Sequence, residues 1–273
     1  MADSVRDPAV AGQFYAGSRN SLLKEAGSLI ETGAEREGAI GAVLPHAGYV
    51  YSGAVAGSVL SIMKPRTTYI IIGPNHTGMG ERFSMAGHRR WKTPLGDVEI
   101  DRELSEAILK KCGLIKRDAL AHLREHSIEV QLPLLQLSNK GPFSIVPIAA
   151  SGADIDTYRR IGTALAASVK EAGRSRDVAV IASSDMTHYE ERDIAERKDK
   201  VAIEAILALD EEMLVRYVEG SDISMCGYIP VAIMLSAVKE LGARAARLVR
   251  YQTSGDVSGD YTSVVGYAGI LIK

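Results

Sequence analysis

Short apolar runs rich in β-branched residues alternate along this chain with longer stretches of helical period. This alternation is typical of βαβ units, in which helices cover both faces of a parallel sheet. The predicted strands cover residues 39–44, 68–73, 143–149, 178–182, 246–253 and 262–272. The predicted helices cover residues 19–32, 53–63, 102–111, 126–138, 154–172, 191–208 and 227–241. The pattern therefore predicts an α/β fold, a three-layer sandwich with a mainly parallel central sheet.

Two segments depart from the simple alternation. Residues 83–100 alternate around a Pro-Leu-Gly turn, which indicates a hairpin that we expect to pass over the sheet edge. The last two predicted strands are joined by the Gly-Asp-rich turn SGDVSGD. No internal break or fixed-period repeat interrupts the 273 residues, so we expect a single domain spanning residues 1–273.

Charge and hydropathy narrow the classes of partner. The formal net charge is −2 and no run of basic residues is dense enough to cover a phosphate backbone, so nucleic acid is not an expected partner. No segment has the length and apolarity of a membrane span or a signal peptide, and a cytoplasmic protein is expected. The two cysteines, Cys112 and Cys226, lie far apart in dissimilar settings and do not indicate a disulfide framework.

Three predicted strands end in segments that carry histidine. His46 follows the strand at 39–44, His76 follows the strand at 68–73, and Asp185 and His188 follow the strand at 178–182. In open α/β sheets ligands bind outside the carboxyl ends of the strands, where these loops converge. Taken together, the three strand ends predict a functional site rather than three ordinary loop histidines.

The remaining histidines are placed less consistently. His126 opens the amphipathic segment HSIEVQLPLLQL and could join the site. His88 and His122 lie among charged residues, and we expect solvated surroundings and no role in a site for them.

Cys226 precedes the apolar helix VAIMLSAVKEL. A helix N-terminus lowers the pKa of a thiol, so Cys226 could be a thiolate ligand or a nucleophile, although a small buried side chain is an equal alternative. Cys112, at the end of a predicted helix, is expected to serve packing only. The glycine-rich nucleotide loops and the GxSxG elbow are missing from the sequence, which leaves a His/Cys/Asp site.

The assembled motifs resemble those of the Memo family over almost the whole chain. They occur in the family's order and spacing, as RDPAVAGQFYAGS, LPHAGYVYSG, GPNHTG, KTPLGDVEID, EHSIEVQLP, SSDMTHY, MCGYIP and SGDVSGDYTSVVGYAG. The resemblance implies an α/β sandwich similar to the class III extradiol ring-cleavage dioxygenases. It also implies that the metal-site positions are His46, His76 and Cys226, and that His126, Asp185 and His188 are the other polar residues of the pocket.

This resemblance suggests one transition-metal ion and a redox or dioxygenase-like enzyme acting on a small organic substrate. Iron(II) or copper is favoured and zinc is compatible, because a His₂Cys set is softer than the two histidines and carboxylate typical of oxygen-activating iron sites. His126 and His188 would then act as general acid or base groups, and Asp185 would fix the tautomer of a neighbouring histidine or support the ligands.

Two other functions remain open from the sequence. Cys226 could be the nucleophile of a metal-independent hydrolase, with His188 as base and Asp185 as the orienting carboxylate. Alternatively, the protein could carry a metal or bind a peptide or partner protein without catalysis. Microbial relatives often accompany radical-SAM proteins, so a partner of that kind is also expected from the resemblance.

Overall fold

The computed structural model describes residues 4–139 and 141–273. Within these ranges, twelve strands form one sheet. In chain order they are β1 (Val5–Arg6), β2 (Gly41–Leu44), β3 (Thr68–Pro74), β4 (Phe83–Met85), β5 (Arg90–Thr93), β6 (Gly96–Ile100), β7 (Lys116–Arg117), β8 (Ser144–Ala150), β9 (Val178–Ser183), β10 (His188–Glu190), β11 (Ala246–Thr253) and β12 (Val264–Ile272).

The centre of the sheet is parallel, as predicted. Strands β8, β3, β9 and β2 lie side by side in that order, with parallel pairing throughout. The antiparallel pairs lie toward the edges, where β12 joins β2 to β11 and β10. Residues 83–100 contain the predicted hairpin, formed by β5 and β6, but β4 and β6 both pair with β8. This segment therefore extends the sheet instead of passing over its edge.

Helices cover both faces of the sheet. They are α1 (Arg19–Leu29), α2 (Ala54–Ile62), α3 (Arg102–Lys111), α4 (Gln131–Asn139), α5 (Ile155–Glu171), α6 (Arg192–Leu207), α7 (Glu211–Gly220), α8 (Tyr228–Glu240) and α9 (Gly255–Ser258). The buried residues of α1, α2 and α4 form one hydrophobic cluster with the sheet, and those of α3 and α5 to α8 form another. The expected three layers and α/β class are confirmed.

Alternation along β3 shows how the sequence builds the two clusters. Ile70 and Ile72 belong to the cluster on one face, whereas Tyr69 and Ile71 belong to the cluster on the other. Successive side chains of a strand point to opposite faces, so a strand buried on both sides reads as a continuous apolar run. That is the pattern of TYIIIGP, all of whose residues are buried.

Three helices begin directly after an aspartate that caps the helix N-terminus. The side chains of Asp101, Asp154 and Asp210 accept hydrogen bonds from the backbone N–H groups three residues later, at the starts of α3, α5 and α7. Helix α7 was not predicted, although Asp210 followed by an amphipathic run was a usable signal. A π-helical turn at Tyr49–Gly53 precedes α2.

The predicted helix at 126–138 begins later than expected, at Gln131. The carboxylate of Glu125 accepts hydrogen bonds from the backbone N–H groups of His126 and Ser127, and turns occupy the residues before α4. Among the helices of the described ranges, none combines the length and apolarity needed to cross a membrane.

Candidate metal centre

All six residues predicted for the site reach one cavity at the carboxyl ends of the central strands. Strands β3, β9 and β2 are neighbours in the sheet, so the loops that follow them open on the same edge. The cavity has a volume of about 510 Å³. The predicted residues in its wall are His46, His76, His126, Asp185, His188 and Cys226.

Three imidazole rings form the floor of the cavity. One nitrogen from each of His46, His76 and His126 lies within 4.8 Å of the other two, close enough for a shared metal ion. The rings of His76 and His126 are stacked, with centroids 4.7 Å apart. The ring of His46 meets both of them edge-on, at 5.2 Å and 5.5 Å.

The hydrogen bonds of Ser183 determine the tautomer of His46. Its Nδ1 lies 2.9 Å from the hydroxyl of Ser183, which donates its only proton to the carbonyl of Ser127. The amide Nε2 of Gln131 donates to the same hydroxyl and to the carbonyl of Pro45. Since Ser183 has no second proton to give, Nδ1 of His46 must be the donor. The lone pair of His46 therefore lies on Nε2.

Burial keeps His46 neutral. The residue is 2% exposed, and loss of hydration, together with the nearby His76 and His126, lowers its pKa well below the ordinary value. A neutral imidazole with its lone pair toward the cavity is the form that binds metal ions.

His76 is oriented by the buried carboxylate of Glu125. The carboxylate accepts hydrogen bonds from the backbone N–H of His76 and, at 3.0 Å, from Nδ1 of its ring. Although burial raises the pKa of Glu125, these bonds and those from His126 and Ser127 outweigh it and bring the pKa to about 2. The ionised carboxylate holds the proton of His76 on Nδ1 and directs Nε2 away from itself.

His126 is held less firmly than His46 and His76. Its Nδ1 lies 3.5 Å from Glu125, beyond a good hydrogen bond, and its ring packs against Phe14 with centroids 4.8 Å apart. The side chain is 22% exposed. Hydrogen bonds therefore constrain the ring of His126 less than those of His46 and His76.

Cys226 faces His46 across the cavity floor. Its Sγ lies 3.2 Å from Nε2 of His46, while a tetrahedral ion bound by both atoms separates nitrogen and sulfur by about 3.5 Å. Burial raises the pKa of the Cys226 thiol well above its usual value, and the nearby Asp185 adds to this effect. The expectation that this pKa is lowered is therefore wrong, because burial and the charge of Asp185 raise it. A bound cation would reverse this by stabilising the thiolate.

Asp185 and His188 take other partners than the sequence suggested. Oδ1 of Asp185 accepts a hydrogen bond from the backbone N–H of His46 at 2.7 Å, and burial raises its pKa to about 6. Nδ1 of His188 contacts the carbonyl of Ser224 at 2.9 Å, which makes it a donor and leaves the lone pair on Nε2. The carboxylate of Asp185 and Nδ1 of His188 therefore bond to groups outside the proposed triad, although the backbone N–H of Asp185 donates to Sγ of Cys226 at 3.3 Å. This arrangement disfavours the hydrolase interpretation.

The structure corrects the sequence analysis at His122. This side chain is fully buried, its ring meets Trp91 edge-on, and its Nε2 donates to the carbonyl of Ser84. His88 is half-buried. Both lie outside the cavity. The expected solvated surroundings are wrong for His122, because charged neighbours in the sequence do not show how deeply a residue is buried. Cys112 is buried within the hydrophobic cluster, in line with a packing role.

Sequence reasoning missed the groups that orient the histidines. Glu125 was visible in the segment EHS, directly before His126, but its long side chain reaches back to His76. Ser183 was visible at the end of a predicted strand. Nothing in the spacing shows that Ser183 lies beside His46, which is 137 positions earlier in the chain.

Comparisons with known proteins show which family the chain resembles. A family model described as Memo-like protein matches residues 6–271. A MEMO1 family protein of Methanopyrus kandleri is 44% identical, with 98% of this chain and 99% of that protein covered. MEMO1 family proteins of Methanosarcina barkeri and Methanocaldococcus jannaschii are 45% and 44% identical, and each is covered completely.

A solved structure shares the fold. It is that of an uncharacterized protein from Escherichia coli K12, with a TM-score of 0.57 and 12% sequence identity. The match covers 84% of this chain and 98% of the other. At this identity the likeness concerns the fold alone.

Proposed function

This chain belongs to the Memo family, and we propose that it binds one transition-metal ion through His46, His76 and Cys226. We further propose that it uses the ion in a redox, dioxygenase-like reaction on a small organic substrate. The observation that carries the proposal is the tautomer of the two histidines. Nδ1 of each donates to a fixed acceptor, so both Nε2 atoms are left unprotonated at the cavity.

The donor set favours a borderline or soft transition metal. Two neutral imidazoles and a thiolate suit copper, iron(II) and zinc better than calcium or magnesium, which prefer oxygen ligands. A bound iron or copper ion would supply electron transfer or activation of dioxygen. Phe14 and Tyr267 in the cavity wall would exclude water from part of the bound substrate.

His188 and His126 are the groups suited to proton transfer. Nε2 of His188 bears a lone pair because Nδ1 donates to Ser224, so it can accept a proton from a substrate hydroxyl. His126 lacks a firm partner at Nδ1 and can move toward a substrate. Asp185 supports the site by holding the backbone of His46 in place.

Metal binding is tested by purifying the protein without chelator and titrating it with copper, iron(II) and zinc. We expect one ion for each wild-type chain and loss of this binding in His46→Ala and Cys226→Ala. His88→Ala is a matched control, since His88 lies outside the cavity. His126→Ala separates the proposed ligand set from the group of three histidines, because this variant should keep the metal if Cys226 is the third ligand and lose it if His126 is. Unchanged binding in both His46→Ala and Cys226→Ala would refute the ligand assignment.

A metal-carrying role is the second candidate, because the centre is accessible. The side chains of His76 and His126 are 34% and 22% exposed, so a partner could approach the ion. A radical-SAM protein is the proposed kind of partner for such transfer. Transfer of the ion to a chelator within seconds, without oxygen consumption by any substrate tried, would favour the carrier.

A further inference from the structure

Tyr189 has a backbone conformation that is unusual for a residue within a strand. Within the described residues, three that are not glycine have positive φ, namely Tyr189 at 60°, Leu209 at 57° and Asp222 at 49°. Leu209 follows α6 and Asp222 follows α7, and left-handed residues are customary just after a helix. Tyr189 instead lies inside β10, where a residue with a Cβ adopts this conformation at an energetic cost.

The conformation results from a β-bulge at the cavity. His188 pairs with Val265 and Glu190 pairs with Val264, so β10 has one more residue than β12 over this interval. Successive side chains of a regular strand point to opposite faces, but here His188 and Tyr189 both line the cavity. The bulge thus brings a second, aromatic side chain to the side of the sheet that holds the metal centre.

Contacts within the chain do not account for this arrangement. The Tyr189 residue is 78% exposed, although burial is where an aromatic ring contributes most to stability. Its ring meets that of His188 at a centroid distance of 5.7 Å and an angle of 64°. A strained residue that leaves a large ring in solvent beside a cavity is the pattern expected of a group that acts on a ligand.

We propose that Tyr189 determines specificity by stacking on a planar group of the small molecule that enters the cavity. The ligand would carry a conjugated or aromatic ring at the cavity mouth and an oxygen donor directed at the floor. A cavity of about 510 Å³ suits such a molecule, and Phe14 and Tyr267 provide further apolar wall. This inference rests on the proposed function, because the ligand would occupy the same cavity as the metal ion.

The test compares two carboxylates of similar size, planar benzoate and non-planar cyclohexanecarboxylate. Dissociation constants are measured by calorimetry with the zinc-loaded protein and with the metal-free protein. We expect wild type to bind benzoate more tightly than cyclohexanecarboxylate. In Tyr189→Gly the ratio of the two dissociation constants should fall by about threefold to tenfold. Tyr189→Phe should keep the preference because it retains the ring.

A matched control is Asp222→Gly, which relieves a positive φ at an exposed residue outside the cavity. It should leave the preference for benzoate unchanged. Tyr189→Gly should also unfold at no lower denaturant concentration than wild type, because glycine adopts the left-handed conformation freely. Unfolding of Tyr189→Gly at an equal or higher denaturant concentration would exclude a folding defect as the reason for weaker binding.

Two results would overturn the inference. One is a wild-type protein that binds both carboxylates equally, and the other is a Tyr189→Gly variant that keeps the preference for benzoate. Failure of the proposed function would look different, since zinc would then fail to bind the wild-type chain. A preference for benzoate in the metal-free protein that depends on Tyr189 would still support the stacking role.

Discussion

Glu125 and Glu129 are four residues apart in the segment that precedes α4, and their buried carboxylates are stabilised in different ways. Glu129 is paired at 2.7 Å with Arg6, whose side chain is 1% exposed. It also accepts hydrogen bonds from the backbone N–H groups of Ala9 and Val10 and from the hydroxyl of Tyr15. A permanent cation and three further donors thus satisfy this carboxylate completely.

Glu125 is satisfied by donors that carry no permanent charge. It accepts bonds from three backbone N–H groups and from the ring of His76, which can itself bind a metal ion. The guanidinium of Arg6 contacts the backbone carbonyl of Glu125 rather than its carboxylate. Glu129 therefore holds the chain segments around the site together. The negative charge of Glu125 is not neutralised by a cation among the described residues, so it can stabilise a metal ion bound by His76.

Replacing Glu129 should have the largest effect on stability. Glu129→Ala leaves the buried Arg6 without its counterion, so we expect the free energy of unfolding to fall by about 3–5 kcal/mol. Urea denaturation of the metal-free protein measures this loss. If Glu129→Ala and Glu125→Gln lowered the stability equally, the contrast between the two carboxylates would be wrong.

The region around Arg6 should also respond to acid. Burial lowers the pKa of His122 to about 4 from an ordinary value of 6.5, so between these pH values the unfolded chain binds more protons than the folded one. The free energy of unfolding should therefore fall by about 3 kcal/mol as the pH decreases through that interval.

His122→Gln removes this titration and keeps a side-chain donor for the carbonyl of Ser84. Its stability, measured with chelator present, should depend less steeply on pH than that of wild type. Equal slopes for the two proteins would show that His122 does not contribute.

Replacing Glu125 should affect the metal more than the fold. Glu125→Gln keeps the size of the side chain but weakens the hold on the proton of His76, so we expect metal affinity to fall by about 10-fold to 100-fold. Competition with a chromophoric chelator measures the affinity. The control is Glu106→Gln, an exposed carboxylate that pairs with Arg117. A Glu125→Gln variant with wild-type affinity would contradict the assigned role.

The regular alternation of strands and helices could be predicted from the sequence. The strand at 246–253 has its predicted bounds, and β2, β3 and β9 deliver their histidines or aspartate to one edge, as parallel strands must. Hydrophobic periodicity shows where the strands lie, and in a parallel sheet the loops after the strands meet at one edge. Both can be read without knowing the contacts between distant segments.

Contacts between distant segments could not be predicted. The bulge at Tyr189 depends on the register of β10 against β12, and the tautomer of His46 depends on Ser183 and Gln131. The pKa of Cys226 was predicted in the wrong direction because the sequence shows the helix that follows it but not the depth of burial. Each of these features is decided by tertiary packing.

The position of β12 has a consequence for synthesis of the protein. Its residue Ile272 pairs with Gly41 of β2, 231 positions earlier in the chain. On the ribosome, β2 must therefore wait with one edge unpaired until β12 has emerged from the exit tunnel. Contacts of such high sequence separation slow folding and expose a strand edge to other nascent chains. A chaperone that shields β2 during translation would protect the strand that positions His46.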